Sequence, residues 1–274
     1  MKKRLDILAL EQGLEATRER VQALIMSGQI YVNNERATKP GDMYSEDVLL
    51  EFRGEKIKYV SRGGYKLEKA IKTFDISLQG KTCMDIGCST GGFIDCMLQN
   101  GIKKVLGVDV GYGQLDWKLR QDERVFLLEK TNIRNVTKED VKDFNINFVT
   151  IDVSFISLKK VLPPASALVT DGCEFVCLIK PQFEAERTEV GKGGIVKDAK
   201  LHKKILSKII DFLSSMNVLL LGLTFSPIKG TKGNIEYLIY FKLFRENLAK
   251  NILENMKFSD IIENVVSDAC KELN

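Results

Sequence analysis

Five short apolar runs recur between residues 82 and 180: TCMDI (82–86), VLGVD (105–109), VFLLE (125–129), FVTID (148–152) and FVCLIK (175–180). Their apolar character is nearly continuous, so each strand must be covered on both faces. Helical patterns separate them, in FIDCMLQN, GQLDWKLRQ, KEDVKDF and SLKKVLPPASALV, the last made irregular by Pro163-Pro164. A chain written this way folds as an α/β protein, a parallel sheet with helices on both sides. A longer amphipathic helix is expected over 198–215. VLLLGLTF (218–225) and EYLIYFKL (236–243) are expected to follow it and to pair antiparallel across PIKGTKGN. The tail, 244–274, places Leu248, Ile252, Met256, Ile261, Val265 and Val266 at helical spacing. One or two amphipathic helices are expected there, packed on the body or on a partner.

The first sixty residues differ. RLDILALEQGL reads as a short helix stopping at Gly13, and EATRERVQALIMSGQ as a second stopping at Gly28. IYVNNERA, with an Asn-Asn turn, and DVLLEF read as strands of a small bent sheet. The expected organisation is thus 1–60 as a small α+β domain, 61–243 as the α/β domain and 244–274 as a helical extension.

Composition narrows the chemistry. The chain has 274 residues, a hydrophobic fraction of 44% and a formal net charge of +4, which allows a nucleic-acid partner without demanding one. Its six cysteines form no CxxC pair, and His202 is its single histidine. No metal site is expected, and no Ser-His-Asp or Cys-His enzyme unless His202 serves it. No apolar run is long enough to span a bilayer and no signal peptide is read at the start. With free thiols, that points to the cytoplasm.

The stretch DIGCSTGGF (85–93) joins the first strand to the next helix through a glycine-rich turn. No Gly-Lys-Ser/Thr follows, so it is not a P-loop, and its glycine spacing is not that of a dinucleotide turn. Asp109, ending the next strand, can accept both hydroxyls of a ribose. Asp85 brings negative charge close to the turn. A ligand with a ribose, a positive charge and no phosphate suits both, and S-adenosyl-L-methionine is such a ligand. Candidate cofactor-binding residues are Asp85, Gly87, Ser89, Thr90, Gly91 and Asp109, with Asn132 after the third strand.

SRGGYKLEKA (61–70), TIDVSFISL (150–158), LIKPQFEAER (178–187) and SPIKGTKGNIEY (226–237), together with the opening RLDILALEQGLEATRERVQALIMSGQIYVNN, closely resemble the TlyA family. These are ribosomal RNA 2′-O-methyltransferases often labelled haemolysins. The resemblance runs from about residue 4 to 243. It implies a Rossmann-like methyltransferase fold of the FtsJ type, whose seven-stranded sheet is mostly parallel with one of the seven strands antiparallel. Ahead of that it implies a small RNA-binding domain like that of ribosomal protein S-four. It further implies S-adenosyl-L-methionine as donor and a cytidine ribose in ribosomal RNA, within ribosomal subunits, as target. The departures are Cys88 in place of a small alanine-like residue, the flexible pair Gly63-Gly64, and the tail after 243.

The resemblance also implies a Lys-Asp-Lys-Glu catalytic tetrad, which falls on Lys66, Asp152, Lys180 and Glu236. Asp152 and Lys180 each end a parallel strand, the edge where open α/β sheets bind ligands. Lys180 is assigned to the ribose hydroxyl, as base or as orienting donor. Lys66 is expected to depress the pKa of Lys180, and Asp152 and Glu236 to hold the lysines. Phe155 is read as cofactor-pocket lining or core, and the glycine-rich loop EAERTEVGKGGIV as a cover for RNA or a mobile surface loop.

Residues 1–60 hold ten basic and ten acidic side chains, so RNA binding there needs charge segregation. Arg4, Arg18, Arg20 and Lys39 are the candidates, with Lys3; Arg18 is expected on the helix side away from the apolar stripe. Two rival functions stay open, a membrane-active haemolysin and a non-catalytic RNA-binding ribosome factor. The oligomeric state is not legible.

Overall fold

The computed structural model describes residues 2–15, 17–54, 58–230, 232–245 and 258–273. The chain divides into two compact units, Met1–Ile57 and Lys58–Asn274. The division falls before residue 60 because Lys58, Tyr59 and Val60 already belong to the second unit. The Tyr59 ring lies against Gly64, so close that a Cβ on that glycine would sit 2.2 Å from it. The Val60 amide donates to Asp95 at 2.7 Å.

In the first unit β1 (Lys2–Arg4) leads into α1 (Leu5–Glu11) and α2 (Arg18–Met26), followed by β2 (Ile30–Val32), β3 (Glu35–Arg36), β4 (Met43–Ser45) and β5 (Leu50–Phe52). Strands β3, β2 and β5 form one small sheet, and β1 pairs with β4. Asn33 and Asn34 both adopt positive φ, 49° and 72°. That is the conformation a two-residue hairpin loop requires and asparagine tolerates. The Lys-Lys-Arg strand β1 has no apolar alternation to announce it; only its ladder with β4 makes it a strand. Leu5, Leu8, Val21, Ile25 and Ile30 fill a small core between helices and sheet.

In the second unit α3 (Gly63–Phe74) precedes the sheet strands β6 (Thr82–Ile86), β7 (Lys104–Val108), β8 (Val125–Leu128), β9 (Phe148–Ile151), β10 (Cys173–Ile179), β11 (Val218–Phe225) and β12 (Tyr237–Leu243). Their order is β11-β12-β10-β9-β6-β7-β8. Only β12 runs against the rest, pairing antiparallel with β10 and β11. The fold is the seven-stranded, mostly parallel α/β sheet that the sequence pattern and the resemblance implied. The chain leaves β6 toward β7 and β8, then returns to place β9 on the other side of β6. Such a reversal opens a crevice at the carboxyl ends of the two strands. Gly87 and Asp152 stand at its two lips.

The helices depart from the sequence reading in three places. KEDVKDF forms turns, because the Asp140 carboxylate takes both the amide and the hydroxyl of Thr137 and satisfies the backbone locally. GQLDWKLRQ keeps only the four-residue α5 (Trp117–Arg120), capped by Asp116. Conversely α6 (Leu158–Ala167) continues through Pro163 and Pro164. The helix α4 (Gly92–Gln99) follows the glycine turn, α7 (Pro181–Glu184) follows β10, and α8 (Ala199–Ser214) begins on an Asp198 cap. A final helix, α9 (Phe258–Leu273), packs on α8 and β11 through Ile262, Val266 and Ala269. The expected helical positions Leu248, Ile252 and Met256 lie outside the described residues.

Candidate active site

Gly87 follows β6 with φ +84°, and a Cβ there would stand 2.5 Å from the carbonyl oxygen of Asp152. Only glycine lets the turn approach β9 this closely. The same economy governs the neighbouring helices. A Cβ on Gly92 would meet Ser61 Oγ at 2.3 Å and the Gly64 amide nitrogen at 2.8 Å. It is thus Gly92 that lets α3 pack closely on α4; of the Gly63-Gly64 pair, Gly64 is required by the Tyr59 ring, whereas a Cβ on Gly63 would meet nothing nearer than 3.5 Å.

Two cavities open on this edge. One, of about 620 Å³, contains all four residues of the implied tetrad. The other, of about 370 Å³, is lined by Asp109, Asn132, Val110, Ile133 and Phe155 among others. Gly87, Ser89, Asp152 and Ser154 line both, so the cavities share one wall.

Within the larger cavity Lys66 Nζ lies 2.7 Å from Glu236 and 3.8 Å from Asp152. Lys180 Nζ lies 2.5 Å from Asp152 and donates to Ser154 Oγ at 3.0 Å. Asp152 thus bridges two ammonium groups, while Glu236 is buried beside Lys66. Buried charges persist only when so paired. Positions 170 apart in the chain meet here because α3 packs against β12. Behind Lys180, α7 is tied to the start of α6, as Glu184 accepts from Ser157 Oγ and the Leu158 amide at 2.6 and 2.7 Å.

The smaller cavity carries two carboxylates and no cation among its lining residues. A phosphate-bearing cofactor would find no counter-charge there, whereas a sulfonium donor fits its charge and its apolar walls. Asp109 accepts from the Ser89 amide at 2.8 Å and from the Gly111 amide at 2.7 Å, one bond to each oxygen. Each carboxylate oxygen keeps a further lone pair for a ribose hydroxyl. Asn132 lines this cavity while its side chain caps a short 3₁₀ turn through Arg134. Thr90 lines the larger cavity, but Gly91 lines neither; its φ of +93° and the closeness of Leu119 give it a structural role.

Asp85 departs from its expected place. It is fully buried and lines neither cavity. One oxygen accepts from Thr150 Oγ at 2.6 Å and the other has no partner. Burial pushes its pKa up to about 7, against the Thr150 hydrogen bond and with help from Asp152 and Asp109. An unfolded carboxyl near 3.8 ionises first, so the folded state holds the extra proton between about pH 4 and 7. Stability therefore falls as pH rises through that window, by roughly 4 kcal/mol at most. Asp85→Asn, neutral and nearly isosteric, is expected to gain on the wild type from pH 5 to 8. Urea unfolding across that range checks this, and parallel pH profiles for the two proteins would refute it.

Phe155 is neither core nor covered: it is 88% exposed at φ +64°, on the rim of the smaller cavity, with its ring 5.0 Å from that of Phe183. His202 is buried away from both cavities, with Nδ1 accepting from Tyr237 Oη at 2.7 Å and Nε2 donating to the Val196 carbonyl at 2.9 Å. Burial lowers its pKa, so it stays neutral. The glycine-rich loop is tied down by Asn234, which donates to the Gly194 carbonyl and accepts from the Val196 amide, both at 2.9 Å. Ser154, Gly230 and Asn234 escaped the sequence reading. Ser154 and Gly230 lie on the cavity wall; none of the three types signals a role by periodicity.

In the first unit Arg4 and Arg18 turn toward one another's partner, the fully buried Asp6, at 3.0 and 2.9 Å. Gln22 also donates to it, at 2.7 Å. Arg18 is thus anchored inward rather than free on an outer face, although 43% of the Arg4 side chain and 45% of that of Arg18 stay exposed. Hydrogen bonding from Arg4, and then from Gln22 and Arg18, holds the Asp6 carboxyl well below the usual range despite its burial. Lys3 pairs with Glu11 and Glu46, Arg20 lies 3.9 Å from Glu15, and Lys39 is exposed.

Residues 59–243 match the FtsJ-like methyltransferase family and residues 3–49 the S4 domain. Hemolysin A of Brachyspira hyodysenteriae is 44% identical over 238 residues, 87% of this chain and 99% of its own. The 16S/23S rRNA (cytidine-2′-O)-methyltransferase TlyA of Mycobacterium tuberculosis is 36% identical over 240 residues, 87% of this chain and 89% of its own. A solved structure from Streptococcus thermophilus, 43% identical, covers 99% of this chain and 96% of that one with a TM-score of 0.74. The chain belongs to the FtsJ-like methyltransferase family, in the TlyA group that carries an S4 domain ahead of the catalytic fold.

Proposed function

We propose that this protein transfers a methyl group from S-adenosyl-L-methionine to the 2′-hydroxyl of a cytidine in ribosomal RNA, within a ribosomal subunit. The observation that carries this reading is the shared wall of the two cavities. A charge-matched donor cavity meets the cavity that holds the tetrad of Lys66, Asp152, Lys180 and Glu236, and Asp152 belongs to both. Asp109 and Asn132 hold the nucleoside end of the donor, and the turn at Gly87 and Ser89 allows its close approach. The bound donor supplies an electrophilic methyl carbon.

The residues of the larger cavity act on the hydroxyl. Lys180, fixed by Asp152 and Ser154, seats it and keeps the attacking oxygen in line. Lys180 takes the proton leaving the hydroxyl, and Asp152, 2.5 Å away, stabilises the ammonium that results. Lys66, held by Glu236, balances the negative charge at Asp152 and fixes its orientation. The exposed parts of Arg4 and Arg18, with Arg20 and Lys39, form the RNA-facing charge of the first unit.

Among the described residues no helix is long and apolar enough to cross a membrane. Mass-spectrometric mapping of ribose methylation tests the reading. Ribosomal RNA from cells lacking the gene is expected to lose a 2′-O-methylcytidine, and the purified protein with donor to restore it. Identical methylation maps with and without the gene would overturn it.

A further inference from the structure

The larger cavity holds more positive charge than its tetrad uses. Its lining includes four cations, Arg62, Lys66, Lys180 and Lys229, against two carboxylates, Asp152 and Glu236. Lys66 and Lys180 are taken up by those carboxylates. Among the described residues Arg62 and Lys229 form no ion pair, so the cavity carries two uncompensated positive charges.

Both are presented on ordered backbone. Arg62 stands immediately before α3, four residues ahead of Lys66. Lys229 precedes Gly230, and a Cβ on Gly230 would meet a Glu236 carboxylate oxygen at 2.4 Å, so this loop lies directly over the tetrad. The loop is pinned further by the Gly230 amide donating to the Asn234 carbonyl at 2.9 Å, and by Ser226 Oγ donating to the Ile228 carbonyl at 2.6 Å. Unpaired cations converging on one cavity call for an anion from the ligand. The donor carries no phosphate, but the RNA strand presents one on each side of every ribose.

We propose that Arg62 and Lys229 clamp the backbone phosphates flanking the target ribose and so seat its 2′-hydroxyl against Lys180. This rests on the reading of the site as an RNA ribose methyltransferase. It adds two substrate-positioning residues outside the tetrad, one of them on the loop that covers Glu236.

The test uses full-length protein, a mixed-sequence single-stranded RNA dodecamer as binding probe, and ribosomal subunits as methyl acceptor. Replacing Arg62 or Lys229 by Gln is expected to lower the slope of log K against log salt by about 0.7 each, and by about 1.4 together. KM for the acceptor should rise roughly tenfold per substitution, the scale of one charge-assisted contact. Lys229→Arg should restore the slope, which a merely structural role would not require. Donor affinity by calorimetry should stay at the wild-type value, reporting an intact fold. An unchanged slope in the double variant would overturn the clamp, as would a slope change accompanied by lost donor binding. If the wild type fails to methylate any ribosomal RNA, the functional reading falls, and the dodecamer slopes still decide the clamp.

Discussion

Lys180→Ala is expected to slow methyl transfer in a single turnover by about 100-fold or more, the usual scale for losing a positioned proton-transfer group. The reason is local. Lys180 is the cation nearest Asp152, at 2.5 Å, and it reaches Ser154 on the wall shared by the two cavities. Lys66 is 3.8 Å from Asp152 and already lies 2.7 Å from Glu236, so it cannot stand in. Donor affinity should hardly change, because Lys180 does not line the smaller cavity. Lys180→Arg separates the two roles left open by the sequence. An arginine keeps the charge and can orient a hydroxyl, but it does not give up its proton. Near-alanine activity in Lys180→Arg favours proton transfer, and substantial recovery favours orientation. Single-turnover transfer of labelled methyl to ribosomal subunits, with donor binding in parallel, is the measurement. A Lys180→Ala enzyme close to wild-type rate would remove Lys180 from the mechanism.

Asp6→Ala should have the largest effect on stability. It leaves Arg4 and Arg18, each nearly half exposed, and the buried-side donor Gln22 without their carboxylate, and losing hydrogen bonds to a charged group costs about 1.5–3 kcal/mol. The first unit has fewer than sixty residues and a small core. Units of that size hold only a few kcal/mol of stability, so the substitution is expected to unfold it. Hydrogen exchange should show protection lost across residues 2–54 and kept in the second unit, with RNA methylation falling and donor binding retained. The pH dependence has a definite sign. The folded carboxyl is held below its unfolded value, so its contribution is complete above about pH 4. It is lost as pH falls through the lowered folded value. Unchanged exchange protection in Asp6→Ala would show that the arginine pair contributes little.

The strands, their parallel sheet and its ligand-binding edge were legible in the sequence because burial on both faces writes itself as unbroken apolar runs; the order of the strands across the sheet, and with it the place of the crevice, was not. The turn at 87 was legible because only glycine permits that approach. The tetrad positions were legible as motif residues, one by one, through resemblance. Their pairing was not, since charged side chains have no periodicity and Lys66 meets Glu236 only through the packing of α3 on β12. Local signals failed where a competing contact was decisive. Asp140 turned a helical pattern into turns, and β4 made a strand of Lys-Lys-Arg. Arg4 and Arg18 read as outward charges until Asp6, buried between them, drew both guanidinium groups inward. Asp85 read as a cofactor contact, and the sheet enclosed it beside Thr150. By itself the sequence determined the layers, the edge that carries the site and the residue types available there. Only the tertiary structure decided which charges share a partner and which are shut away from solvent, because burial and ion pairing depend on distances between chain segments that no local pattern records.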